Sequence, residues 1–349
     1  MRIALALVAS AGLSSITLSA QLPTLARVGE IGCSDCGTAA QFATIRDVVV
    51  TDSGSVLVLS SEAPTLRFFD RGGAIRWSVG RSGTGPGEYR LPIRAALGPT
   101  GIQVVDMTSR RITRLDAGGK FASSAPLAGF AASVGARGRS GEMVVLLDDF
   151  RGTFTLQRWS ATDSAKVIGV VPRSAAADAG HLTIPSIAVA TSGQMAVLRD
   201  PNEYRIILLT PAGQTITEIV RDIPRIKRTP AEIEAMERRA QGAANRVRSE
   251  LGQRGSSGGA SPIRASSYDL KPHVSIDGLR FDDAGRLWAK TMRGSESSTV
   301  FDLFAADGKY LGEVTVPAAI GTYSVAGRWF ATDVESADGT PRIVLFEIR

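Results

Sequence analysis

Histidine and cysteine are nearly absent, with two of each in 349 residues. That excludes a histidine-rich metal enzyme and a disulfide-dense mini-scaffold. Aromatic residues are only 6% of the chain, and six lysines stand among 40 basic residues. No apolar run reaches the ~20 residues that a membrane span needs. The chain also lacks a Walker sequence, a Gly-x-Ser-x-Gly elbow ahead of a helix and a dinucleotide fingerprint at a strand-to-helix junction. Glycine, by contrast, is plentiful at 37 residues, in a chain that is 44% hydrophobic and 21% charged. This composition excludes a disordered chain, a collagen and a coiled coil. The length allows one large domain or two ordinary ones.

Residues 1–20 read as a signal peptide. Arg2 gives a basic start, Ile3 to Leu13 is apolar, and Ser14 to Ala20 is small and semi-polar. Cleavage is expected after Ala20, although Leu18 is bulky three positions before the cut. An uncleaved anchor is the alternative, and the short run argues against it. Lipid attachment at Cys33 is disfavoured, because Glu30 stands where an aliphatic residue is needed. The expected location is therefore secreted or periplasmic, with residues 21–349 as the mature chain and no transmembrane span.

That compartment favours a local disulfide between Cys33 and Cys36, which lie between Gly32 and Gly37. A redox role would need a helix start after a strand, and half a zinc site would need distant partners such as His181 or His273.

The chain repeats itself. Short apolar strands flank a polar-Gly turn at Gly54, Gly101, Gly141, Gly193, Gly285 and Gly327, with spacings of 47, 40, 52, 92 and 42 residues. A second turn follows about twenty residues later, as in LRFFDRGG (66–73), ITRLDAGG (112–119), LQRWSATD (156–163), IILLTPAG (206–213) and FDLFAADG (301–308). Gly and Asp suit such hairpins because they accept positive φ or cap the turn. Two hairpins per unit and six units predict an all-β, six-bladed β-propeller. A sandwich of unrelated hairpins would not require so regular a double turn. The sixth unit lacks one strand, and residues near 24–31 are expected to supply it, closing the ring as a composite with 323–349.

Residues 80–92, GRSGTGPGEYRLP, follow FDRGGAIRWSV. They resemble the Gly-x-Gly-Pro-Gly-Glu-aromatic…Pro signature of secreted bacterial six-bladed propellers of the NHL-repeat and TolB-like type. The resemblance spans most of 42–349, its sharp motif occurs once, and blades 3 and 6 depart from the pattern. It implies the fold and an envelope or secreted location, but no single activity. From the residues themselves, Gly83, Gly85 and Gly87 permit a tight inter-blade loop that Pro86 stiffens, Glu88 can cap its amides and Tyr89 can pack beneath it.

The spacing of 92 residues holds an insertion, placed at about 221–266. Thr229-Pro230-Ala231-Glu232 is a capping box with Pro at the first helical position. Ile233, Met236, Ala240, Ala243, Val247 and Leu251 then recur at helical steps, so a helix over about 229–251 is expected, followed by a Gly/Ser-rich loop. Residues 221–254 carry nine basic and five acidic side chains, which is +4 of the whole-chain +6. The remainder is nearly neutral, so the charge does not point to nucleic acid. The helix is either a solvated face or a partner-docking element presenting Arg238, Arg239 and Arg246.

Counting back seven or eight residues from the first-turn glycines brings Arg46, Asp47, Arg94, Ser186 and Asp277 to the channel mouth. This mixed-charge ring suits a polar ligand or a divalent cation, or is simply solvated. A calcium hydrolase would want several carboxylates there, for which Asp47, Asp277 and Glu88 are the candidates. A zinc lyase would want several histidines. The residues favour a monomeric extracytoplasmic propeller that binds a protein or a small polar ligand without catalysis. The alternative is a metal-dependent hydrolase or lyase using calcium or zinc in the channel.

Overall fold

A computed structural model describes residues 22–33, 40–60, 64–136, 140–160, 165–173, 185–234, 269–336 and 338–349. Six four-stranded antiparallel sheets form the blades of a propeller. Blade 1 spans 47–79, blade 2 spans 92–126, blade 3 spans 130–172, blade 4 spans 186–220 and blade 5 spans 274–316. Blade 6 is composite: Leu25–Ile31 pairs antiparallel with Pro341–Ile348, beside Trp329–Glu335 and Ile320–Ala326. The expected closure by the N-terminal strand is therefore present, and it leaves no ring of unpaired edges around a gap.

The burial pattern explains why each strand sits where it does. Second strands such as Val56–Leu59 and Met143–Asp148 are buried at every position, because neighbouring blades cover both faces. Outermost strands such as Phe121–Pro126 alternate half-buried and exposed residues. Apolar clusters fill all six gaps between consecutive blades. The cluster between blades 6 and 1 includes Ile31 beside Val48, Phe69 and Trp329, so the closing strand contributes core as well as hydrogen bonds.

All six first-turn glycines have positive φ, from 55° at Gly327 to 133° at Gly101. Gly73, Gly119, Gly213 and Gly308 repeat this at the second turn, with φ between 84° and 89°. An antiparallel blade puts both hairpin turns at one end, here the hairpin face. The crossovers from blade to blade then lie at the other, here the crossover face. The Glu88 cap is formed there: its carboxylate accepts Gly85 N–H at 2.8 Å and Arg81 Nε–H at 2.8 Å, and Tyr89 is fully buried beneath.

The insertion rises from the crossover between blades 4 and 5. Its stems pair at Lys227 and Leu270, with Arg228 N–H donating to Asp269 O at 2.8 Å and Lys271 N–H to Ile226 O at 2.8 Å. The capping box is made, with Thr229 N–H donating to the Glu232 carboxylate at 2.8 Å and Glu232 N–H to Thr229 Oγ1 at 3.3 Å. Residues 230–234 are helical. The rest of the expected helix, including Arg238, Arg239 and Arg246, lies outside the described residues. So do the signal segment, His181 and Cys36. Cys33 is disulfide-bonded. Among the described residues, no helix is long and apolar enough to cross a membrane.

Candidate functional site

The six innermost strands surround a central cavity of about 380 Å³. Every blade gives apolar wall residues, among them, in order, Val49, Leu97, Ala136, Val189, Phe281 and Val325. The cavity is polar at the crossover end, where Asp47, Arg94 and Arg280 line it. Strand direction places Asp47 and Arg94 there: the inner strands begin at the crossover face, so residues seven or eight before each first-turn glycine sit at the mouth. Arg280, five before Gly285, reaches it with its guanidinium, which donates to Asp277 O at 3.0 Å.

Asp47, Arg94 and Asp277 come together. Arg94 donates Nη1–H to Asp47 Oδ1 at 2.7 Å, and its Nη2 lies 3.2 Å from Asp277 Oδ1. Asp47 Oδ2 accepts Ala95 N–H at 2.8 Å, which ties blade 1 to blade 2. Asp47 and Arg94 are buried, whereas Asp277 is one-third exposed. Burial works against the Arg94 charge, but Asp47 and then Asp277 outweigh it and hold its pKa above the ordinary value. Burial likewise pushes Asp277 up, and Arg94, then Arg280, Arg46 and Lys290, pull it below the usual carboxylate range. Asp277 also has φ of +55°, an uncommon conformation for a residue with a side chain.

Arg46 is exposed, and Asp277 feels its charge. Ser186 does not join the others. It is fully buried, its Oγ has no partner, and the cavity wall in blade 4 begins at Ile187. The inner strands of blades 3 and 4 pack closely beside it: a Cβ on Gly135 would stand 2.8 Å from Val189 Cγ2.

Four residues escaped sequence reasoning. Arg280 lies inside the apolar-looking stretch LRF (279–281) and caps three carbonyls, those of Tyr323 at 3.2 Å, Asp277 at 3.0 Å and Leu279 at 2.7 Å. Its guanidinium stands 5.3 Å from the Tyr323 ring. Its charge is disfavoured by burial and then by Arg94. Lys290 donates to Gly321 O, and burial lowers it to about 8. Asp333 accepts Thr322 N–H, and burial raises it to about 6. Tyr323 is fully buried and donates to Gly278 O or Trp288 O, each at 3.0 Å. The one available signal was a charge interrupting an apolar inner strand.

The three carboxylates weighed for a calcium site do not converge. Glu88 is engaged in its own loop, while Asp47 and Asp277 share Arg94. Among the described residues, no three His, Cys, Asp or Glu side chains cluster as a metal would need.

Blade count, closure and channel together define a six-bladed β-propeller. No family model matches the chain, and no curated protein matches its sequence. Among solved structures it is similar to a Bacteroides fragilis protein assigned as exported, with a TM-score of 0.56, 12% identity, and 94% of this chain and 95% of that one covered. It is also similar to a Bacteroides vulgatus member of a family without known function, with a TM-score of 0.53, 9% identity, and 94% and 98% covered. A third is an inactive virginiamycin B lyase from Staphylococcus aureus with quinupristin, with a TM-score of 0.50, 12% identity, and 91% and 98% covered. At such identities the likeness shows the fold alone.

Proposed function

We propose that this protein is an extracytoplasmic binding propeller of the NHL-repeat or TolB-like type, which takes a small polar ligand at the crossover mouth of its channel without catalysis. The observation that carries the reading is the mouth itself. An Asp47–Arg94–Asp277 cluster, its first two members buried and Asp277 partly open to solvent, stands at the mouth of a cavity of a size that suits a small molecule. The charges there are held by one another rather than by solvent, an arrangement that orients polar groups in advance of a ligand. The insertion springs from the same face, which suits a role beside the mouth, and Arg238, Arg239 and Arg246 within it are proposed to dock an acidic partner. Secretion is supported by the N-terminal segment and the Cys33–Cys36 spacing, and by the similarity to a protein assigned as exported.

A thermal melt of residues 21–349 tests the reading, first in EDTA, then with calcium or zinc restored, then against a panel of polar metabolites. A ligand that binds only the folded state at a hundredfold excess over its Kd adds about 2.7 kcal/mol. A Tm unmoved by EDTA and raised by a panel member supports binding at the mouth. A Tm lowered by EDTA and restored by one metal would overturn the metal-free reading and favour the hydrolase or lyase.

A further inference from the structure

The charges at the mouth are not equally satisfied. Arg94 has both Asp47 and Asp277 to neutralise it, although its Nε has no hydrogen-bond partner. Among the described residues, Arg280 and Lys290 make no ion pair and rest on backbone carbonyls. Arg280 Nη2 is buried with no hydrogen-bond partner at all. Each such donor costs free energy until something accepts from it, so a buried, unpartnered guanidinium nitrogen at a cavity wall marks a place for an acceptor. Arg46 adds a third cation on the solvent side. The nearby carboxylates are Asp47 and Asp277, committed to Arg94, and Asp333, which lies beside Lys290. The uncommitted charge at the mouth is positive.

Below this rim the cavity changes character. Val49, Leu97, Val189, Phe281 and Val325 line it from five blades, and among the described residues its polar side chains below the rim are Thr51 and Asp52 at the hairpin end, and Ser324. Ser324 Oγ already accepts Val50 N–H at 3.1 Å. Thr51 lies in the hairpin turn at the far end. A fully polar ligand would leave its polar groups unpaired against this wall, at a cost. A bare small anion would leave the wall unused.

The geometry points to an amphipathic monocarboxylate as the ligand class, with its carboxylate on Arg280 at the mouth and its aliphatic body in the bore. This rests on the proposed site and adds the chemistry of what fills it. Arg280 is a binding residue in this scheme, Lys290 and Arg46 steer the anion, and Val49 is part of the apolar wall.

Calorimetric titration of residues 21–349 with acetate, butanoate, hexanoate, octanoate and octan-1-ol tests it. Affinity should rise along the acid series by about fourfold per buried methylene until the bore is full. Octanoate should exceed both acetate and octan-1-ol by at least about tenfold. Arg280→Met should remove the preference for octanoate over octan-1-ol, and Arg280→Lys should keep part of it. Val49→Phe should flatten the chain-length series. Octan-1-ol binding as tightly as octanoate would overturn the role of charge. Acetate binding as tightly, or an unchanged series in Val49→Phe, would overturn the role of the bore. The wild-type series needs no variant, so a misfolded substitution does not rescue the inference. If no acid binds while a neutral polar metabolite raises the Tm, the inference fails and the propeller's binding role stands. If no acid binds and EDTA lowers the Tm, both fail.

Discussion

Arg94 of blade 2 reaches across to Asp47 of blade 1 and donates Nη1–H to its carboxylate at 2.7 Å, both side chains being buried. The pair locks two inner strands at the point where they begin, since Asp47 also accepts the Ala95 N–H. Removing one partner of a buried pair leaves the other uncompensated. Asp47→Ala is expected to cost about 3–5 kcal/mol. Adding Arg94→Met to that variant should recover part of the loss. Urea midpoints of the three chains check this, and a midpoint unchanged in Asp47→Ala would refute the pairing.

A second lock lies between blades 2 and 3 at the hairpin face. A Cβ on Gly98 would stand 2.6 Å from both the Cα and N of Gly141, closer than packed atoms allow. Gly98→Ala must therefore push two turns apart, at about 1–3 kcal/mol. A thermal melt equal to wild type would show that the turns can separate freely.

Between blades 4 and 5, the fully buried Asp302 accepts from the Tyr204 hydroxyl and lies 2.6 Å from Arg221 and 2.5 Å from Arg293. Tyr204 is itself buried, and burial followed by the Asp302 charge pushes its pKa upward. Tyr204→Phe removes one hydrogen bond to a charged acceptor, an expected loss of about 1.5–3 kcal/mol. Denaturant unfolding would measure it, and a neutral substitution would mean that the two arginines satisfy Asp302 alone.

The mouth should also make stability depend on pH. Asp333 is pushed up to about 6 by burial, while an unfolded aspartate titrates near ~3.9. Between these values the folded chain keeps a proton that the unfolded chain has lost, so this contribution falls as pH rises through the window. Lys290 is lowered to about 8 against ~10.4 unfolded, so its penalty is full at neutral pH and fades above pH 8. Asp333→Asn should therefore stabilise the protein at pH 7 and do little at pH 4. The gain is at most about 3 kcal/mol, less the lost attraction to Lys290. Equal effects at both pH values would refute a raised Asp333.

Closure predicts a cooperative cost for losing the first strand. A chain beginning at Gly32 exposes the edge of Pro341–Ile348 and removes Ile31 from the cluster between blades 6 and 1. It should lose its sharp melting transition and aggregate through the bared edge. A cooperative melt in the shortened chain would show that five blades and a three-stranded sixth suffice.

The sequence by itself determined the ring: the number of blades, the two hairpins in each, the composite sixth blade and the capping box at Thr229. All of these depend on local chemistry, because a glycine at positive φ and a hairpin's alternation are settled within a few residues. It also placed Asp47, Arg94 and Asp277 at the mouth, since a repeat carries position from one blade to the next. Only the tertiary structure decided which of those charges meet, and that Ser186 turns behind the wall. It alone placed Arg280, Lys290 and Asp333 beside them. Arg280 read as an interruption in an apolar strand, and Lys290 and Asp333 sit on second strands of different blades. Their shifted pKa values arise from burial between neighbouring blades, on strands that meet only when the ring is assembled, and no local pattern records how deeply a side chain is buried there.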